Sequence, residues 1–225
     1  MNKLFIAGPC VLDTEETAFE TARMLESIFA GREGAEWVFK ASFLKDNRTS
    51  AGSFRGPGIS EGLSMLSSIR RAFGVRVTTD VHEPGQVESA AASVDILQIP
   101  AFLCRQTSLL EAAGSAGIPV NVKKGQFMNP INMAGAVDKL RSRGCPMVML
   151  TERGSFFGYG DLVVDFRSLS VMSGICDSVL LDVTHSLQRP GALGGSSGGD
   201  QHAVRLARAA AAWGLDGLFF EAHPR

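Results

Sequence analysis

Eight short apolar runs recur along 225 residues, and each of the first seven is followed by a segment with helical spacing. The runs are LFIAGPC (4–10), WVFKASF (37–43), VRVTTDV (75–81), ILQIPAF (96–102), PVNVKKG (119–125), MVMLTERG (147–154), SVLLDVTHS (178–186) and GLFFEAH (217–223). Most are rich in Val, Ile, Leu or Phe without clean alternation, the pattern of strands buried on both faces of a parallel sheet. Helical spacing recurs over 14–29, 60–73, 84–92, 106–116, 132–143 and 201–213, and more weakly over 166–175. Alternating strand and helix predicts an α/β fold. Eight strands at a mean spacing of roughly 30 residues predict a (β/α)8 barrel, the TIM-barrel architecture, which runs to about 250 residues.

No linker divides the chain, so residues 1–225 are read as a single domain. The first helix carries Phe19, Ala22, Met24, Leu25, Ile28 and Phe29, with Asp13 expected as its N-cap and Glu16 completing a capping box. The one low-complexity stretch, PGALGGSSGGDQ (190–201), follows the seventh strand and reads as a mobile loop. Its glycines lack the spacing of a dinucleotide fingerprint. The sequence reaches Arg225 just after the eighth strand. For the helix that normally covers that strand, the expectation is either that the sequence is shortened or that something else covers that face, and a chain ending there is expected to be unstable or inactive.

Lys+Arg number 22 and Asp+Glu 23, a net charge of -1, which argues against a nucleic-acid binder. Cys10, Cys104, Cys145 and Cys176 form no C-x-x-C pair, and the last three read as packing residues in a reduced, cytoplasmic protein. The start, MNKLFIAGPC, is too short in apolar residues for a signal peptide, and no stretch approaches the ~20 apolar residues of a membrane span.

Polar residues collect at the C-terminal strand ends, where such barrels place their chemistry. In order these are Cys10; Lys40 with Lys45, Asn47 and Arg48; Asp80 and His82; Gln98 with Arg105; Lys123 and Lys124; Glu152 and Arg153; Asp182 and His185; Glu221 and His223. The opposite ends read as carrying no such concentration. Lys40, Lys45, Arg48, Arg105, Lys123, Lys124 and Arg153 form a cationic group suited to phosphates and carboxylates, and such a group would repel itself unless anions were bound. Cys10, His185 and Glu221 are the ligand types of a divalent transition metal, and a closed barrel makes strands one, seven and eight neighbours.

The segments IAGPC, FKASFLKDNRTS, SFRGPG, TTDVHE, QIPAFLCRQT, NVKKGQF, LTERGSFFGY, DFRSL, DVTHS and EAHP resemble the 3-deoxy-D-manno-octulosonate 8-phosphate synthases, over about residues 4–224. The resemblance implies a transferase, a homotetrameric barrel that condenses phosphoenolpyruvate with D-arabinose 5-phosphate for lipopolysaccharide precursor synthesis. It implies that Lys40, Lys123 and Arg153 hold phosphoenolpyruvate, with Gln98 and Ala101 lining its site and Phe102 beside them. Lys45 would stand between the substrates, Asn47 would meet the sugar, and Arg48 and Thr49 its phosphate. Arg105 would reach the sugar phosphate of a neighbouring subunit, and Asp80 and His82 would lie at the reacting centre. Cys10 matches the metal-dependent branch of the family, which implies a divalent metal on Cys10, His185 and Glu221.

Three departures are visible. The family's fourth metal ligand, an Asp about a dozen residues past Glu221, lies beyond Arg225. Asp46 stands where the family has Ala, and the glycine-rich loop diverges. Two other readings stay open. One is 3-deoxy-7-phosphoheptulonate synthesis from erythrose 4-phosphate, whose motif carries Pro where Asn47 stands. The other is a non-catalytic sugar-phosphate binding protein.

Overall fold

The computed structural model describes residues 2–46, 52–189 and 200–224. Strands β1 (Lys3–Gly8), β2 (Ala35–Lys40), β3 (Arg76–Asp80), β4 (Ile96–Ile99), β5 (Val120–Lys123) and β6 (Val148–Glu152) are followed by a small hairpin, β7 (Ser155–Phe157) and β8 (Asp161–Val163), and then by β9 (Ser178–Asp182) and β10 (Gly217–Glu221). Apart from the hairpin, all pair in parallel and close a barrel in the order β1, β10, β9, β6, β5, β4, β3, β2. Helices α1 (Glu15–Phe29), α2 (Ile59–Phe73), α3 (Pro84–Ala91), α4 (Thr107–Gly114), α5 (Ala134–Arg141), α6 (Arg167–Ser173) and α7 (Asp200–Trp213) lie between strands. The alternation read from the sequence is therefore a closed (β/α)8-type wall of eight strands.

Period-two alternation splits each strand between two cores. Leu4, Ile6, Val38, Ile96, Met149, Leu180 and Phe219 form one apolar cluster inside the barrel. Outward-facing Phe39, Val77, Leu97, Val122, Leu150 and Leu181 join a larger cluster with helix residues such as Leu25, Leu66, Leu110 and Leu140. Both faces are buried, which is why the sequence shows apolar runs instead of alternation.

Three expectations change. The cap of α1 is Thr14, whose Oγ1 accepts from the Thr17 amide at 3.1 Å. Asp13 instead accepts the Thr14 amide, so Glu16 falls one position early for a capping box. The β7–β8 hairpin was not anticipated, because SFFGYGDLV continues the sixth run with aromatics; Gly158, at φ 68°, makes the turn.

The N-terminal strand ends also carry an ordered polar set. Asp95, Asp177 and Asp216 each immediately precede a strand, and each accepts a backbone N–H near the start of the strand alongside. The partners are Val77 at 2.9 Å, Val148 at 2.7 Å and Val179 at 2.8 Å. These carboxylates satisfy amides at which the ladder begins. Polar residues at this rim therefore hold the strands, while those at the other rim converge.

Candidate active site

The apolar interior turns polar as it nears the C-terminal rim. Lys40, Gln98, Asp182 and Glu221 each lie two residues after a member of the interior apolar cluster, and Asp80 and Lys123 follow interior Thr78 and Asn121 in the same parity. Gly8 makes room for them, since a Cβ there would collide with the Lys40 carbonyl. Lys40, Lys45, Asp80, His82, Gln98, Ala101, Phe102, Lys123, Arg153 and His185 line one cavity of about 70 Å³. The structure thus gathers ten of the residues singled out in the sequence at one place.

Carboxylates interleave with these cations. Asp80 Oδ2 accepts from Ser42 Oγ at 2.5 Å and pairs with Lys45 Nζ at 3.4 Å, with Lys40 Nζ at 4.0 Å. Lys40 Nζ also donates to the Cys10 carbonyl and to Ser42 Oγ, both at 3.0 Å. Lys123 Nζ pairs with Asp182, which accepts His185 Nδ1 at 2.7 Å. The cations therefore do not depend on bound anions alone to coexist. Asp80, Asp182 and Glu221 offset them, a point the sequence did not suggest for Asp182.

Burial opposes ionisation of Asp80, but Lys40 and Lys45 outweigh it and hold its carboxyl well below the usual range. Burial likewise works against Lys45, yet Asp80 keeps its ammonium above the ordinary lysine value. Lys40 moves the other way, lowered by burial and by the charge of Lys45. His82 is lowered by burial, so its imidazole is neutral near neutral pH. Among the described residues, His82 Nδ1 and Arg153 Nη1 are buried without a hydrogen-bond partner. Buried polar atoms of this kind are expected to meet a ligand.

Burial lowers Lys123 to about 8, partly countered by Asp182. A depressed lysine loses its proton as pH rises through that value. We expect kcat/KM for an anion held by Lys123 to fall above pH about 8, because this ratio reports groups of the free enzyme. A profile flat from pH 7 to 10 would remove Lys123 from anion binding.

Other predicted residues lie elsewhere. Lys124 does not face the cavity; it is fully buried against Glu152 Oε1 at 3.3 Å and donates to Ser155 Oγ at 3.1 Å. Parity explains this, since Lys124 follows inward-facing Lys123. Arg105 lines a separate groove of about 540 Å³ with Asn129 and Lys139. Asn47, Arg48 and Thr49, and most of the 190–201 loop, lie outside the described residues. Asp46, outside the cavity, pairs with Arg55 on the surface.

The three residues read as metal ligands are only partly assembled. His185 Nε2 lies 3.2 Å from Glu221 Oε1, and Glu221 is register partner to Gly8, two residues before Cys10. Among the described residues, no three His, Cys, Asp or Glu side chains stand as a ready metal-ligating cluster. The donor chemistry nonetheless suits a divalent metal. Glu221 Oε1 has His185 Nε2 at 3.2 Å and Lys40 Nζ at 3.8 Å beside it, and Asp182 fixes His185 through Nδ1, leaving Nε2 directed at Glu221.

The sequence pattern of the DAHP synthetase I family matches residues 2–225. The chain belongs to that family. Within the DAHP synthetase I family it is similar to proteins named 2-dehydro-3-deoxyphosphooctonate aldolase. That of Desulfatibacillum aliphaticivorans is 55% identical over 221 residues, covering 98% of this chain and 81% of the relative. That of Magnetococcus marinus is 54% identical over 220 residues, covering 97% and 76%. That of Campylobacter jejuni is 50% identical over 232 residues, covering 98% and 85%. In this member of the DAHP synthetase I family, sequence reasoning missed Ser42, Asn121, Gln126 and the role of Asp182. The signal was present: Asn121 and Asp182 share inward parity with Lys123 and Leu180.

Proposed function

We propose that this protein condenses phosphoenolpyruvate with D-arabinose 5-phosphate and water, giving 3-deoxy-D-manno-octulosonate 8-phosphate and phosphate, a step toward lipopolysaccharide precursors. The observation that carries the reading is the convergence of Lys40, Lys45, Lys123 and Arg153 on one buried cavity. The names of the relatives support this product over the seven-carbon one. Asn47, in place of Pro, agrees.

Phosphoenolpyruvate binds through Lys40, Lys123 and Arg153, whose free Nη1 takes an anionic oxygen. Gln98 and Ala101 line this site, and Phe102 borders it. Carbon 3 of the enol ester attacks the aldehyde carbon, and the aldehyde oxygen gains negative charge. Lys45, kept an ammonium by Asp80, stabilises that oxygen. Water adds to carbon 2, and neutral His82 accepts its proton. The carbon–oxygen bond to phosphate then breaks as the new C2 hydroxyl gives its proton to the departing phosphate, leaving the ketone, and the proton taken from water goes to the alkoxide. Asn47, Arg48 and Thr49 hold the sugar phosphate, and Arg105 reaches that of an adjacent subunit in a homotetramer. The exposed Phe127, Phe156 and Phe157 support self-association.

His185 and Glu221, with Cys10, would hold a divalent metal. Such an ion supplies Lewis acidity and orients water or the aldehyde. The cytoplasm is the proposed location, consistent with four free thiols. No helix among the described residues is long and apolar enough to cross a membrane.

The test is phosphate release from phosphoenolpyruvate with arabinose 5-phosphate, on metal-stripped protein, before and after adding a divalent metal. Release restored by metal supports the reaction and the ligand set together. Equal release without metal keeps the reaction and removes the metal. Faster release with erythrose 4-phosphate would reverse the choice of sugar, and absence of release under all conditions would leave a binding protein.

A further inference from the structure

Beneath the cavity, a single line of buried hydrogen bonds crosses the barrel interior from β6 to β3. Thr151 Oγ1 donates to Asn121 Oδ1 at 2.8 Å, and Asn121 Nδ2 donates to Gln98 Oε1 at 3.2 Å. Gln98 Nε2 then donates to Asp80 Oδ1. Gln98 is register partner to both Asp80 and Asn121, so three of the four side chains are lateral neighbours. Thr151 and Asn121 are wholly buried, and neither lines the cavity.

The direction of this line follows from its end. An ionised carboxylate only accepts, so Gln98 must turn its NH2 toward Asp80. Its carbonyl then faces Asn121, which must also present NH2. The Asn121 carbonyl is left for a donor, and the Thr151 hydroxyl supplies one. Removing that hydroxyl leaves a buried acceptor unmet at one end of the line and loosens the placement of both amides, which Asp80 orients at the other. Asp80 in turn fixes Ser42 and Lys45.

We propose that Asn121 and Thr151 are positioning residues for the condensation, acting through Gln98 and Asp80 to set where Lys45 stands. The proposal rests on the reading that Lys45 serves the reacting aldehyde. Their effect is on placement, and a small misplacement of a reacting group costs up to about 10²-fold in rate. Gln98 also lines the proposed phosphoenolpyruvate site, but Lys123 and Arg153 make no hydrogen bond to this line, so binding of phosphoenolpyruvate is expected to change less than kcat.

The experiment measures kcat and KM in the metal-supplemented full chain. Thr151→Val is expected to lower kcat about tenfold and Asn121→Leu by up to about 10²-fold, with KM for phosphoenolpyruvate within about twofold. Thr151→Ser, which keeps the hydroxyl, is expected to restore kcat. With Asp80→Asn already present, Thr151→Val is expected to cost less than about twofold, since the line then ends on a neutral group. Equal losses in both backgrounds, or a serine variant as slow as the valine one, would overturn the proposal and leave ordinary packing. If the unmutated chain turns over neither aldose, the reaction reading has failed separately. The orientation is then read without substrate from the Gln98 side-chain amide in 15N-glutamine-labelled protein, identified by its loss in Gln98→Leu. A resonance shifted by Thr151→Val and returned by Thr151→Ser supports the line, and one unmoved by the valine change refutes it.

Discussion

Lys45→Met is expected to lower kcat about 10³-fold while leaving affinity for phosphoenolpyruvate within about threefold. Lys45 is the lysine of the cavity most firmly kept charged, through its 3.4 Å approach to Asp80. Placed where an alkoxide forms, a preorganised donor is worth about 10²–10³ in rate. Methionine keeps most of the apolar stem, one atom shorter, and removes the charge together with its N–H donors. The expected split, a fall in kcat without a matching loss of binding, identifies an interaction made in the transition state. Binding of phosphoenolpyruvate by calorimetry and turnover by phosphate release check it. If affinity falls as far as kcat, Lys45 is an anion ligand like Lys123 and the proposed role is wrong.

The second large effect falls on stability. Lys124 and Glu152 form an ion pair in which both side chains are essentially sealed from water, 0% and 1% exposed. Glu152 also accepts the Arg153 and Gly154 amides at 2.9 and 2.7 Å and the Ser168 hydroxyl at 2.7 Å. Glu152→Leu strands a buried ammonium and three donors at once. Removing one partner of such a pair costs about 3–5 kcal/mol, and for a chain of this length each kcal/mol moves the melting temperature by roughly 2–4 °C. We expect the melt to fall by roughly 6–20 °C. The double change Lys124→Met with Glu152→Leu should recover much of it, because no charge is then left unpaired. A single variant melting within about 2 °C of the original would show that water reaches the pair.

These two predictions mark how far the sequence could be read. The eight strands were legible because burial on both faces makes apolar runs, and because polar residues end each run where the chemistry begins. Lys40, Asp80, Gln98 and Lys123 could be placed at one rim on that ground alone. What could not be read was which way a charged residue turns. Lys123 and Lys124 are adjacent and chemically alike, yet one enters the cavity and the other is locked to Glu152 outside it, a distinction of one step in strand parity. Asp182 was noted at a strand end but not given its part, since only the fold brings it to Lys123 and His185. The hairpin after β6 was hidden by aromatics that continue the apolar run. Asp95, Asp177 and Asp216 were missed for a related reason: each looks like a turn residue until the neighbouring strand is placed beside it.

Those three aspartates have a consequence for how a chain of this kind diversifies. They fasten the strand starts from the rim farthest from the cavity, each through a single backbone contact. Loops over the cavity do not hold those strand starts, although Thr184 Oγ1 there accepts the Glu221 amide at 3.0 Å, so substitutions away from such contacts alter what is gripped with less cost to the staves. Heritable change is thereby channelled to one mouth of the cask: its hoops sit at the base, and the lip is free to be recarved for a different aldose.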